Sequence, residues 1–331
     1  MGFKLFNLGF QNWKDTQLIY HALAELGIES LVIQQTRENY ICLGMFNSAK
    51  ELDFDYLKRK NIPVFRREIG GGTVWLDRAQ IFYHLIIRRD NSLCPIKNET
   101  FFTRFLQPVV DTYKSFGIDA SIKPACDIVT EGKKISGNGA GTIEDCKVLS
   151  GSILLEFNPE IFIEALSFPD ERFRKAAFEQ MTSRVASLSH FGIWVEEQEV
   201  RDRLIQNFSE LLGDLERVEV DTRIRKTMKS LEAEKFDEEW LLETGKDRYW
   251  REIKIAEECY LFHFLRDDTQ VFGRRGDNKL EEIEIIHHGN RVEKLESLLL
   301  KEQINSGKIL NIIESYIPHK SEEIFRVIKG G

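Results

Sequence analysis

The chain has 331 residues, 42% hydrophobic and 11% aromatic, with 30% charged residues and a formal net charge of −8. That composition supports a packed core in one large domain plus a smaller one, and it excludes a disordered chain. The acidic balance argues against a nucleic-acid binder, whose footprint is a basic domain or stripe.

Residues 1–11 lack a basic region followed by a long apolar run, so no signal peptide is expected. Residues 13–26 set Leu18, Ile19, Ala22, Leu23 and Leu26 on one helical face, and Gly27 ends the run. Residues 30–34 and 39–45 are short apolar runs that predict strands, and residues 49–60 are charged and helix-like. Pro63 opens a strand over 64–67, a glycine triplet follows, and strands are predicted over 73–76 and 80–87. A helical period returns over 101–116 through Phe102, Phe105, Leu106, Val109, Val110 and Tyr113. The strand-rich stretch 119–157 is broken by Gly132, Gly137, Gly139, Gly141 and Gly151, and Pro159 opens a helical region that runs to about residue 218.

The last third differs. Residues 232–240 predict an acidic helix. Residues 252–265 and 280–287 predict strands joined around a charged turn at 274–278, and helices are expected over 292–300 and 304–313. Strands that cluster, instead of alternating with helices, predict an α+β fold. The expected layout is a catalytic domain over 1–225, with mixed and antiparallel sheets flanked by helices, and a small α+β accessory-like domain over 226–331. No stretch reaches the ~18 apolar residues of a membrane helix. The five cysteines (Cys42, Cys94, Cys126, Cys146 and Cys259) sit at no metal-finger spacing. A secreted disulfide framework is therefore not expected, and the cytoplasm is the expected compartment.

Two segments carry chemistry. The first is Arg66-Arg67-Glu68-Ile69-Gly70-Gly71-Gly72-Thr73-Val74-Trp75-Leu76-Asp77. Three successive glycines between apolar strands are tolerated where a backbone needs unusual dihedrals or a ligand approaches closely. With two arginines beside them, the segment suits an anion held by main-chain N–H groups and guanidinium. A glycine-rich hairpin with its arginines in solvent is the plainer alternative, and no P-loop or dinucleotide fingerprint is present.

The second segment is Asp127-Ile128-Val129-Thr130-Glu131-Gly132-Lys133-Lys134-Ile135-Ser136-Gly137-Asn138-Gly139-Ala140-Gly141. Lysines in such a turn usually face water. Lys134, however, opens a strand that becomes glycine-rich at once, where an ammonium supplies a compact positive charge for phosphate chemistry. Lys133 should face the opposite side of the strand, in solvent.

Together these segments resemble the lipoate–protein ligase family, within the superfamily it shares with biotin protein ligases and octanoyltransferases. Leu149-Ser150-Gly151-Ser152-Ile153-Leu154-Leu155, Cys42-Leu43-Gly44 and Ser183-Arg184-Val185-Ala186-Ser187-Leu188 are similar to further elements of that family, in the same order. The tail from Leu231 looks similar to the family's small accessory domain.

The resemblance implies ATP-dependent activation of lipoate to lipoyl-AMP, followed by transfer to a lysine of a lipoyl-domain acceptor. That acceptor would belong to a 2-oxoacid dehydrogenase or be a glycine-cleavage H-type carrier. It implies Lys134 as the catalytic lysine, contacting the acid's carboxyl oxygen and the α-phosphate. Gly70, Gly71 and Gly72 would line the acid and phosphate sites, Val74 would lie near the adenine, and Arg67, ahead of Arg66, would serve the phosphate side. Gly137 and Asn138 complete the binding set. Asp77 is expected to orient a lysine, and Asp127 to serve the phosphate waters or Mg²⁺. Phe46, Trp75 and Phe82 are candidate linings for an apolar tunnel, or simply core.

Cys126, Ser150 and Gly141 depart from the family, where asparagine, histidine and arginine respectively are common. The rival readings are an octanoyl or lipoyl transferase acting through a cysteine thioester without ATP, for which Cys126 is the candidate, and a non-catalytic adenylate- or acceptor-binding protein.

Overall fold

The computed structural model describes residues 2–123, 126–242, 250–276 and 278–330. They form two compact units, Met1–Ala165 with Ser183–Lys246, and Leu166–Thr182 with Asp247–Gly331. The expected division at 225/226 falls inside the helix Thr222–Lys235, which lies whole within the first unit.

The first unit is built on a six-stranded mixed sheet. Its order is Asn138–Ile143, Cys146–Leu154, Gln80–Arg88, Ser30–Thr36, Lys4–Gln11 and Glu216–Arg217. Ser30–Thr36 pairs parallel with Lys4–Gln11 and antiparallel with Gln80–Arg88. Successive side chains of a strand point to opposite faces, and here both faces are buried. Leu31, Ile33, Ile81, Tyr83, Leu85 and Ile87 pack with Phe101, Phe105 and Val109 of the helix Asn98–Ser115 and with Leu204 and Phe208 of Glu197–Leu212. Val32, Ile86 and Val148 pack with Ile19, Tyr20 and Leu23 of the helix Trp13–Glu25 and with Ile224 of Thr222–Lys235. A sheet covered on both faces reads as continuous apolar runs, which is the pattern of residues 80–87.

Two small sheets carry the candidate site. Tyr40–Leu43 lies between Val64–Arg66 and Val74–Leu76. Asp127–Thr130 lies between Ser121–Lys123 and Lys133–Ser136.

The second unit is an antiparallel meander of Trp250–Ala256, Cys259–Arg266, Thr269–Arg275, Leu280–His287 and Asn290–Arg291. Phe262, Phe264, Val271 and Ile285 form its core with Leu295 and Leu299, Ile309 and Ile313, and Ile324 and Val327 from the helices Glu293–Leu299, Lys308–Glu314 and Ser321–Lys329.

The α+β expectation holds for both units. Three elements differ in detail. The expected strand over 252–265 is two strands, turned at Glu258, which takes a left-handed φ of 60°. Arg274 and Arg275, expected in a turn, end the strand Thr269–Arg275. The expected helix over 49–60 begins only at Phe54, because the Asp53 side chain accepts the Tyr56 N–H and caps it there. Among the described residues, no helix is long and apolar enough to cross a membrane.

Candidate active site

The two glycine-rich segments, about seventy residues apart in sequence, meet backbone to backbone. A Cβ added to Gly139 would lie 2.7 Å from the Gly70 carbonyl oxygen, and one added to Gly141 would lie 3.1 Å from that of Glu68. Gly44 seals the other side, because a Cβ there would lie 2.0 Å from the Gly71 oxygen. Contacts under 3 Å are essentially never made by a Cβ, so glycine at 44 and 139 follows from packing, and at 141 a side chain would be tight. Gly71, at φ 107°, needs glycine for its dihedral as well.

Arg67 holds this loop from inside. Its guanidinium donates to the carbonyls of Gly70 (3.2 Å), Gly72 (2.7 Å) and Cys42 (3.0 Å). Arg66 is only 1% exposed and donates to the carbonyls of Gly44, Met45 and Asn47, and to those of Trp240 and Leu241. The two arginines therefore divide their work: Arg66 clamps the loop after Leu43 to the end of the helix Glu238–Leu242, and Arg67 braces the triplet.

Lys134 lies in the strand Lys133–Ser136, with its side chain 21% exposed. Its Nζ sits 2.8 Å from Oδ1 of Asp127, which is 2% exposed. The register explains the pair. Glu131 and Gly132, both left-handed, turn the chain so that Val129 faces Lys134. Asp127, two residues before Val129, then projects from the same face. The stem of Lys134 folds over Gly137, where an added Cβ would lie 3.3 Å from Nζ. On its far side, Lys134 is paired with Val185, and the Ala186 N–H donates to the Lys134 carbonyl at 2.8 Å. The Ser-Arg-Val-Ala-Ser-Leu element thus supports the lysine strand. Lys133 donates to the Ser183 carbonyl at 3.1 Å, a contact to that element.

Asn138 is the hub of the polar contacts beside the glycines. It accepts from the Tyr83 hydroxyl and donates to the Cys126 carbonyl at 2.8 Å, while the Cys126 thiol donates to its carbonyl at 3.1 Å. Gly151 makes room for this cluster, since a Cβ there would meet Asn138 Oδ1 at 2.0 Å.

Asp77 stands elsewhere. Its carboxylate accepts from Trp75 Nε1 at 2.8 Å and from the Ala79 N–H at 3.0 Å, and burial pushes its carboxyl above its ordinary value. The lysine-orienting position expected of Asp77 is occupied by Asp127. Val74 is half-buried against the Tyr40, Cys42 and Phe65 cluster. Trp75 and Phe82 are core, at 5% and 3% exposure, while Phe46 is 76% exposed and lines no interior.

Three residues at the base of this loop gave no signal in the sequence. His21 Nε2 lies 3.3 Å from Glu68, and Lys235 Nζ lies 2.7 Å from the same carboxylate. The His21 imidazole, and then the hydrogen bond from Lys235, hold the Glu68 carboxyl down at about 2. His84 accepts from or donates to Gln34 and Ser150 on its two ring nitrogens. Burial, and then His21 beside it, push His84 down to about 3. Ser150, one of the departures, is therefore paired with a neighbouring histidine.

The fold is shared with solved ligases. A bipartite lipoate protein ligase of Thermoplasma acidophilum, solved with its E2 lipoyl domain, aligns with a TM-score of 0.67 at 24% identity, covering 74% of this chain and 97% of that one. Lipoate-protein ligase A bound with ATP aligns with a TM-score of 0.62 at 23% identity, covering 74% of this chain and all of that one. Residues 9–209 match the lipoyl protein ligase A/B catalytic domain, and the chain belongs to that family. Its relatives include lipoate-protein ligase A subunit 1 of T. acidophilum, 28% identical over 217 residues that span 61% of this chain and 79% of the relative. Octanoyltransferase LipM of Kyrpidia tusciae is 27% identical over 227 residues, 60% of this chain and 82% of the transferase.

Proposed function

We propose that the protein is a lipoate–protein ligase that activates lipoate, or octanoate, with ATP and transfers the acyl group to a lysine of a lipoyl domain. The observation that carries this reading is the Lys134 ammonium, fixed by Asp127 where two glycine-lined backbones meet. Adenylation brings a carboxylate against the α-phosphate, two anions whose repulsion must be offset. Lys134 is the group we assign to both. The acid's carboxylate oxygen attacks the α-phosphorus and pyrophosphate leaves. The acceptor lysine amine then attacks the acyl carbonyl, AMP departs and the amine loses its proton. Lys134 stabilises the oxygen charge in each step, and the main-chain N–H groups around Gly70, Gly71, Gly72, Gly137 and Asn138 are the groups we assign to the phosphates.

Arg67 supports this site by bracing the triplet, and Val74 flanks it. A nucleotide-bound Mg²⁺ keeps several waters and takes one or two exposed carboxylates. Asp127, 2% exposed and paired with Lys134, is a poor fit to that role. ATP and lipoate are carried to this chain from relatives of the same fold solved with ATP and with lipoic acid. The acceptor class comes from the ligase solved with its E2 lipoyl domain. A carrier of the glycine-cleavage H type has the same chemistry to offer, and the cytoplasm is the compartment that suits the reaction.

One observation favours a second reading, transfer through a cysteine thioester. The Cys126 thiol lies at the same cluster, 3.1 Å from the Asn138 oxygen, and LipM is among the relatives. The two are separated by supplying a lipoyl domain with lipoate and ATP, or with octanoyl carrier protein alone, and weighing the product. A ligase modifies one lysine only with ATP, and Cys126→Ser retains activity. Modification without ATP that Cys126→Ser abolishes establishes the transferase.

A further inference from the structure

The second unit holds a cluster that the proposed acyl chemistry does not use. Two turns lie side by side at one end of its sheet. Asp267 and Asp268 join Cys259–Arg266 to Thr269–Arg275, with Arg266 facing Thr269. His288 and Gly289 join Leu280–His287 to Asn290–Arg291, with His287 facing Asn290. Thr269 is in turn the cross-strand partner of His287, and the His288 N–H donates to the Asp268 carbonyl at 3.0 Å. This register alone brings Asp268, His287 and His288 together.

The side chains converge. Candidate ligand atoms from the three residues all lie within 4.8 Å of one another. His287 Nδ1 stands 3.8 Å from Asp268 Oδ1, and His288 Nδ1 contacts Oδ2. The neighbouring Asp267 is turned away to Lys320, while Asp268 faces the two imidazoles and accepts from the Thr269 hydroxyl at 3.2 Å. Thr269 Oγ1 lies 2.8 Å from the same His287 Nδ1 and orients that ring, and an ion bound at Nδ1 would take the place of this hydrogen bond. The His288 side chain is 70% exposed and that of Asp268 36%, so one side stays open to water.

His288 also occupies an uncommon position. It takes φ 49° and Gly289 takes φ 74°, the paired left-handed dihedrals of a type I′ hairpin. Asparagine, aspartate or glycine is favoured at the first of these positions. Histidine there gives up turn propensity while placing an imidazole beside Asp268.

We propose that Asp268, His287 and His288 form a divalent transition-metal site that binds Zn²⁺, with water completing the coordination. One carboxylate oxygen and two imidazole nitrogens are a donor set that zinc accepts, and one that suits neither Mg²⁺ nor Ca²⁺, which prefer oxygen alone. The bound ion would pin two adjacent hairpin turns of the meander together.

The test uses the full-length protein, stripped of metal and titrated with zinc chloride by calorimetry. Wild type should bind one more equivalent of zinc than Asp268→Asn or His288→Asn. Asparagine is a favoured residue for the left-handed turn position, so His288→Asn keeps the hairpin while removing the ligand. Zinc should also raise the melting temperature of the wild type more than that of either variant. Cobalt chloride should give visible d–d absorption that His287→Gln removes. Equal zinc stoichiometry in wild type and variants, whether that number is zero or is supplied by the cysteines, would overturn the proposal.

Discussion

At the scale of single residues, the account turns on which carboxylate meets Lys134. Lys134 and both glycine-rich segments stood out in the sequence through their resemblance to the ligase family, since by itself a lysine in such a turn usually faces water. The partner of Lys134 did not. Asp77 and Asp127 are both acidic residues at strand ends, and only the register separates them. A signal existed in Glu131-Gly132, a two-residue turn that sets Val129 opposite Lys134 and brings Asp127 to the same face. Substituting Asp127→Asn keeps the volume but removes the charge that positions Lys134. The expected outcome is a fall in kcat of about 10- to 100-fold with a smaller change in KM, since an interaction used mainly in the transition state is lost. Steady-state kinetics of acyl transfer to a lipoyl domain measure this. Unchanged kcat would remove Asp127 from the site.

At the scale of elements, the glycine loop is held by packing as much as by its dihedrals. Gly44, which ends the Cys42-Leu43-Gly44 element, faces the Gly71 carbonyl so closely that a methyl group cannot enter. In Gly44→Ala the two loops must part. We expect a loss of about 2 kcal/mol in urea unfolding, in the range of overpacking substitutions, together with a raised KM for ATP. Stability and KM both at wild-type values would show that the loops do not need this contact. Other elements escaped the sequence for definite reasons. The strand Lys4–Gln11 contains Gly9 at φ 63° and a register break beside it, which interrupt its alternation. The turn at Glu257 and Glu258 carries no glycine or proline, so two strands read as one.

At the scale of the whole molecule, the α+β class was legible from strands that cluster without alternating helices. The grouping of Leu166–Thr182 with the second unit was not, because that segment lies inside a continuous helical pattern. Burial of titratable groups in the first unit also sets how the protein responds to acid. His84, held at about 3, lies far below the ordinary imidazole value of about 6.5. Between those values the unfolded chain binds a proton that the folded chain does not. Its contribution to stability is therefore complete above about pH 6.5 and falls as pH drops, by at most ~1.4 kcal/mol per unit. Glu68, held at about 2 by His21 and Lys235, adds a second loss below the ordinary glutamate value of about 4.3. Urea midpoints should fall between pH 7 and 5, and His84→Gln should flatten that fall. An equal slope in the variant would mean that His84 charges in the folded state.

Adenylation is the step that the proposed function assigns to Lys134. The most direct measurement incubates the purified protein with ATP, Mg²⁺ and lipoate, without any acceptor, and follows pyrophosphate release and protein-bound lipoyl-AMP beside Lys134→Ala. The account predicts both products from the wild type and a loss of at least ~100-fold in the variant, the scale of removing one transition-state charge partner. Absence of pyrophosphate from the wild type, with octanoyl carrier protein instead labelling Cys126 as a hydroxylamine-sensitive thioester, would contradict it.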